Sequence, residues 1–334
     1  MSSPPPDGPD LPARLLNAVP PASGAAVMGT GIVSIALLLD GNTTLSLVLL
    51  IIDAGLWIAL VELLPARALS DWTRFRVDLR SPTALTSIAG TGVIGTRLTL
   101  AGWTGTGAAL LVIAVMIWLG LVPYVLRHWE APTIGASFIL TVCTESLALL
   151  AAALALAARD PWLLYGSLVP FGLGLVFYLA VLVRFDYRQL LIGRGDHWVT
   201  GGALAISTVT AGRITTAADH LHLLTSVHGA LRDLSLALWV ATMVWLPFLL
   251  AAEAIRPRLS YSVRRWSTVF PVGMYAACSF VVGQGTNTPS ITGFARVWVW
   301  VALAVWLVVF AAMLGRAPRL VRGRPCPVHG SSRT

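Results

Sequence analysis

The chain contains no lysine: all 23 of its basic residues are arginine. Charge of either sign is scarce, 11% of the 334 residues against 56% hydrophobic ones, or about half the charge of a typical soluble chain. That shortage excludes an ordinary soluble domain and points to an integral membrane protein. The formal net charge of +8 does not indicate a nucleic-acid partner, because the arginines lie between apolar runs rather than on one face. Only three cysteines occur, Cys143, Cys278 and Cys326, and they form no spacing motif. Neither a disulfide framework nor a zinc site is expected. Histidine is confined to segments between or beyond the apolar runs. A membrane-embedded enzyme, the competing class, needs a nucleophile–base or metal set inside its spans, and none is present. No catalytic residue, metal or cofactor is therefore expected. The opening MSSPPPDGPDLPARLL lacks the charged start and apolar core of a signal peptide. It reads as a short disordered cytoplasmic lead-in.

What is abundant is the apolar run of about 18 to 26 residues, the length that crosses the hydrocarbon core. Ten are expected: 19–39, 43–64, 82–99, 103–126, 134–157, 161–183, 198–218, 229–254, 266–288 and 292–315. With the N-terminus inside, 18 of the 23 arginines fall in inner segments. This asymmetry predicts ten spans in a cell inner (plasma) membrane with both termini cytoplasmic. The organisation expected is a lead-in over 1–18, a transport domain over 19–315 and a basic cytoplasmic tail over 316–334. A sensor, the other competing class, would bring a soluble signalling domain, which this tail is too short to supply.

Most outer links are three residues long, so the spans read as five hairpins. Their two members differ in kind. The odd-numbered spans carry 24 Ser and Thr residues, and the even ones nine. Nine of the thirteen tryptophans fall on even spans. Hydroxyls and small residues favour close helix packing or a wet path, whereas Trp, Leu and Val suit lipid. The fold class expected is an all-α membrane protein, its odd helices forming an inner pore ring and its even helices an outer ring.

Two odd spans centre on Gly-Thr-Gly: Gly29, Thr30, Gly31 and Ser34 lie in the first, Gly90, Thr91 and Gly92 in the third. The third span carries a formal G-x-G-x-x-G (Gly90, Gly92, Gly95), but no strand precedes it. Glycines for close helix approach are the simpler reading. The stretch from Arg264 to Gly285, entering the ninth span, holds a Phe-Pro-x-Gly step, Phe270 to Gly273. A proline there frees a carbonyl that only protein or a wet path can satisfy.

The pieces MGTGIVS (Met28 to Ser34) and WSTVFPVGMY (Trp266 to Tyr275), in a ten-span chain, resemble the tellurite-resistance/dicarboxylate transporter family. That family includes malate permeases, sulfite exporters and the slow anion channels of plants. The resemblance implies five hairpins in a ring, a pore lined by odd helices, anionic cargo such as C4-dicarboxylates or inorganic anions, and a homotrimer in the bilayer. It also implies an occluding phenylalanine on the ninth span. The FP-x-G match makes Phe270 the gate candidate beside Pro271, with Phe280 as the alternative because Phe270 lies nearer the inner end.

Ionisable residues inside spans are costly and commonly functional. Arg97 and Arg213, in the outer thirds of odd spans, would form an anion vestibule or snorkel to the interface. Glu145, beside Thr144 in the fifth span, would serve proton coupling or pair with one of those arginines. Ser207, Thr208 and Gly273 complete the expected lining. Asp53 falls on an even span and must face protein. Asp219, His220, His222 and His228 match no metal spacing.

Overall fold

A computed structural model describes residues 21–129, 132–192, 195–257 and 261–316; the expected lead-in and nearly all of the expected tail lie outside these. Ten long helices follow in order: α1 (Gly24–Leu39), α2 (Thr43–Ser70), α3 (Thr86–Leu100), α4 (Thr104–Arg127), α5 (Ile139–Ala158), α6 (Pro161–Val183), α7 (Trp198–Leu221), α8 (His228–Ile255), α9 (Trp266–Gly285) and α10 (Pro289–Leu314). Short helices Trp72–Asp78 and Arg188–Ile192 lie in the connections. Among the described residues there is no strand, only one isolated bridge between Thr133 and Phe185.

Helix ends depart from the expected span ends by up to about six residues, most at the second span, and the start of the expected first span lies outside the described residues. The second span continues to Ser70, carrying Pro65 inside it. Ionisable Glu62 and Arg67 end the apolar run without ending the helix, because helix propensity does not stop where hydropathy does.

Among the described residues, seven helices are long and apolar enough to cross a membrane: α2, α4, α5, α6, α8, α9 and α10, the fifth and ninth counted with their leading 3-10 turns. α1 is a shorter apolar helix. α3 has 15 residues, a length of about 22 Å at 1.5 Å per residue. α7 is long enough but is diluted by glycine, threonine and Arg213. The reason α3 and α7 need little hydropathy is their position. In α5 and α9, 94% of the apolar window is buried inside the protein, against 22–28% in the even helices.

That contrast follows from the packing. α1 packs on α3, α3 on α5, α5 on α7, α7 on α9, and α9 returns to α1. Each even helix packs against the odd helix before it. Neighbouring odd helices run in the same direction, since contacts advance together: Gly90 meets Val27 and Val93 meets Gly31, while Gly202 meets Pro271 and Gly212 meets Val281. Glycine permits these approaches, as a Cβ at 202 would lie 2.7 Å from the Pro271 ring.

Candidate functional site

Contacts on each odd helix fix which side faces the ring interior, because successive residues rotate by about 100°. On α9, Val269 and Gly273 face α1, Pro271 faces α7, and Ser279 reaches α8. The remaining side, turned away from α8 and α10, carries Phe270, Met274 and Ala277. Phe270 is 1% exposed. Phe280 shares the azimuth of Val269 and Gly273 and so lies on the α1 side. The same construction gives Met28, Ile32 and Ile35 on α1, Thr96 on α3, Val142 and Leu149 on α5, and Ile206 and Thr210 on α7. This stripe is apolar over most of its length and becomes polar toward the C-terminal ends of the odd helices.

The hydroxyls of the odd helices mostly occupy seams. Trp306 Nε1 of α10 donates to Thr30 Oγ1 at 2.9 Å. Trp57 of α2 donates to Thr91 of α3 at 3.0 Å, and Trp118 of α4 to Thr144 of α5 at 2.9 Å. Trp239 of α8 donates to Ser279 of α9 at 2.9 Å. In all four cases an even helix clamps the odd helix that follows it around the ring, α10 closing onto α1. Four of the nine even-span tryptophans are thus paired with odd-helix hydroxyls. Thr30, Thr91 and Thr144, expected to line a path, instead turn outward to indole donors.

The other expected lining residues are also placed by contacts between helices. Gly29 lies against Trp266 and Val269, Gly31 against Asp53 and Val93, Gly92 against Ser146, and Gly273 against Ile32. Gly90 packs on Val27. The Thr208 hydroxyl meets that of Thr242 at 3.3 Å. Ser207 Oγ donates to Glu145 Oε1 at 2.9 Å.

The two arginines separate. Arg97 Nε donates to Ser34 Oγ at 3.0 Å, and its Nε and Nη2 reach Ser46 Oγ at 3.1 and 2.9 Å. It is 4% exposed and sits in the α1–α2–α3 seam, outside the ring interior. Arg213 lies on α7 between the side that faces α9 and the side that faces the interior; it is partly buried, with no hydrogen bond or ion pair among the described residues.

Glu145 pairs with neither arginine, which corrects the ion-pair expectation. The two lie elsewhere: Arg97 faces away from α5, and Arg213 lies farther along α7. Glu145 is wholly buried, and its Oε2 has no hydrogen-bond partner. Asp53 is also fully buried, with neither oxygen hydrogen-bonded, beside Gly31 and Val93. His228 Nε2 pairs with Asp219 Oδ1 at 2.7 Å, and no metal-binding group occurs among the described residues. At the opposite end, Arg265 bonds Glu253 at 3.0 Å, where Trp198 Nε1 also donates. This ties the starts of α7 and α9 to the end of α8.

The sequence profile of the voltage-dependent anion channel family (SLAC1) matches residues 18–314, and the chain belongs to that family. Similar curated proteins are two uncharacterized membrane proteins from strains of Mycobacterium tuberculosis. Each is 34% identical over 124 residues, covering 35% of this chain and 62% of the relative. The chain thus spans less than two thirds of the length of these relatives.

Proposed function

From membership in the voltage-dependent anion channel family, we propose that this protein is a multi-pass membrane anion channel or carrier. Small anions cross along the axis of the odd-helix ring, between Met28, Thr96, Ile206 and Met274, past Phe270. All ten long helices span the bilayer as five hairpins, with both termini in the cytoplasm and the membrane being the plasma membrane. The observation that carries this reading is the closed cycle of same-direction odd helices, sheathed by lipid-compatible even helices. Such a cycle encloses an axis, and the apolar stripe along it accounts for selectivity by width and dipoles rather than by a charged cage. Phe270 is favoured over Phe280 as the gate because of its azimuth. The homotrimer is an assembly that the family resemblance suggests.

Purified full-length protein in liposomes tests this. Radiolabelled chloride, sulfite, malate and tellurite are offered in turn, with empty liposomes as the control. Uptake of at least one anion above the control is expected, with no cation uptake. Uptake of none refutes the transport reading.

A further inference from the structure

Five even helices face five following odd helices around the ring, and four of the interfaces carry the same tryptophan-to-hydroxyl bond. The α6–α7 interface departs from the pattern. The single tryptophan of α6, Trp162, sits in its first turn and is 83% exposed. At the level of the other clamps α6 instead has Gly174, where a Cβ would come within 2.7 Å of Glu145 Oε1. The hydroxyl of α7, Ser207, donates to that carboxyl instead of accepting from an indole. A carboxyl group has taken the place of the fifth indole.

We propose that Glu145 is a proton-binding site coupled to anion occupancy at Arg213. This rests on the anion-path reading above. Among the described residues, the surroundings of Glu145 supply no counter-charge. α6 presents Gly174 and, one turn on, Tyr178, whose hydroxyl accepts from Trp245 at 3.1 Å. On α5 itself Cys143 lies two residues away on the opposite side of the helix, its thiol donating to the Leu140 carbonyl at 3.3 Å. α4 contributes Trp118 on Thr144, and its arginine is its last residue. α3 contributes glycine, its arginine being held by Ser34 and Ser46 on the far side. α7 contributes Ser207, Thr210 and, farther along, Arg213. Ionising a buried carboxyl with one oxygen unpaired and no cation beside it among the described residues carries a desolvation cost, which the charge at Arg213 offsets only in part.

Arg213 lies six residues beyond Ser207 on the same helix, about 9 Å along its axis. With Arg213 empty, its positive charge favours ionisation of Glu145. An anion there cancels that charge and favours the proton. Proton and anion therefore bind together, and the linkage is reciprocal.

The test uses full-length protein in liposomes and radiolabelled chloride, which keeps one charge between about pH 5 and pH 8. In the parent, the half-saturating chloride concentration is expected to fall about three- to tenfold as pH falls over that range. Glu145→Gln should remove this slope and hold the low-pH value at every pH. Arg213→Gln should raise half-saturation throughout and also flatten the slope. A parent without a slope, or a Glu145→Gln variant that keeps it, overturns the proposal. Infrared difference spectra of the purified protein on chloride addition give an independent reading. A protonated-carboxyl band absent from Glu145→Gln supports the site, and the same band in both proteins refutes it. The spectrum remains informative if no anion is transported, so loss of the path and loss of the proton site are told apart. Monodispersity and melting temperature check that the near-isosteric variants are folded.

Discussion

Removing a single tryptophan clamp should have an effect that depends on which partner is removed. Thr144 Oγ1 accepts from Trp118 Nε1 at 2.9 Å and itself donates to the Leu140 carbonyl at 2.8 Å. Trp118→Phe deletes the indole donor and leaves the threonine satisfied by its own helix. Thr144→Val leaves a part-buried indole N–H without a partner, so a penalty of about 1–3 kcal/mol is expected for the orphaned donor. Interhelical hydrogen bonds in membranes average about 0.6 kcal/mol by double-mutant cycles. The coupling between Trp118→Phe and Thr144→Val should therefore be about 0.5–1 kcal/mol, and cycles on Trp57/Thr91, Trp239/Ser279 and Trp306/Thr30 should give similar values. Equilibrium unfolding of the purified protein in mixed micelles measures each cycle. Coupling within error of zero at all four seams would refute the view that these bonds clamp even helices to odd ones.

Other substitutions test the seams. Gly202→Ala forces a Cβ to within 2.7 Å of the Pro271 ring; destabilisation of about 1–3 kcal/mol from overpacking is expected in the same unfolding assay. Gly31→Ala meets Asp53 Oδ2 and Val93 Cγ1, both at 2.7 Å. It should cost about as much, and adding Asp53→Ala should recover part of the loss, a non-additivity read from the double mutant. Ser46→Ala strips Arg97 of its Nη2 acceptor and one of two acceptors at Nε. A loss of about 1–3 kcal/mol is expected, with partial recovery on combining it with Arg97→Met, measured as melting temperatures.

The all-helical class and the contrast between buried and exposed helices were legible because composition records environment. Even helices such as α6 must be apolar toward lipid, while α5 and α9 are surrounded by protein. The side of each helix was less legible. Thr30, Thr91 and Thr144 read as lining because hydroxyls suit a wet path equally well as they suit an indole partner, and only three-dimensional register distinguishes the two. Arg97 and Arg213 look alike in sequence, each near the outer end of an odd span. Ser46, which captures Arg97, lies 51 positions away on another helix. Glu145 stood out as a charge in an apolar run, yet its setting depends on Gly174, a residue with no chemistry of its own. The α6–α7 seam became exceptional only once the other four clamps could be compared with it.

Anions are proposed to pass along the ring axis, with Phe270 obstructing them. The most direct measurement is anion flux through liposome-reconstituted Phe270→Ala beside the parent and Phe280→Ala, at matched protein density. Phe270→Ala should raise flux by about tenfold or more, the equivalent of about 1.4 kcal/mol off the barrier, with Phe280→Ala close to the parent. Folded Phe270→Ala with parental flux would contradict this reading, as would a rise confined to Phe280→Ala.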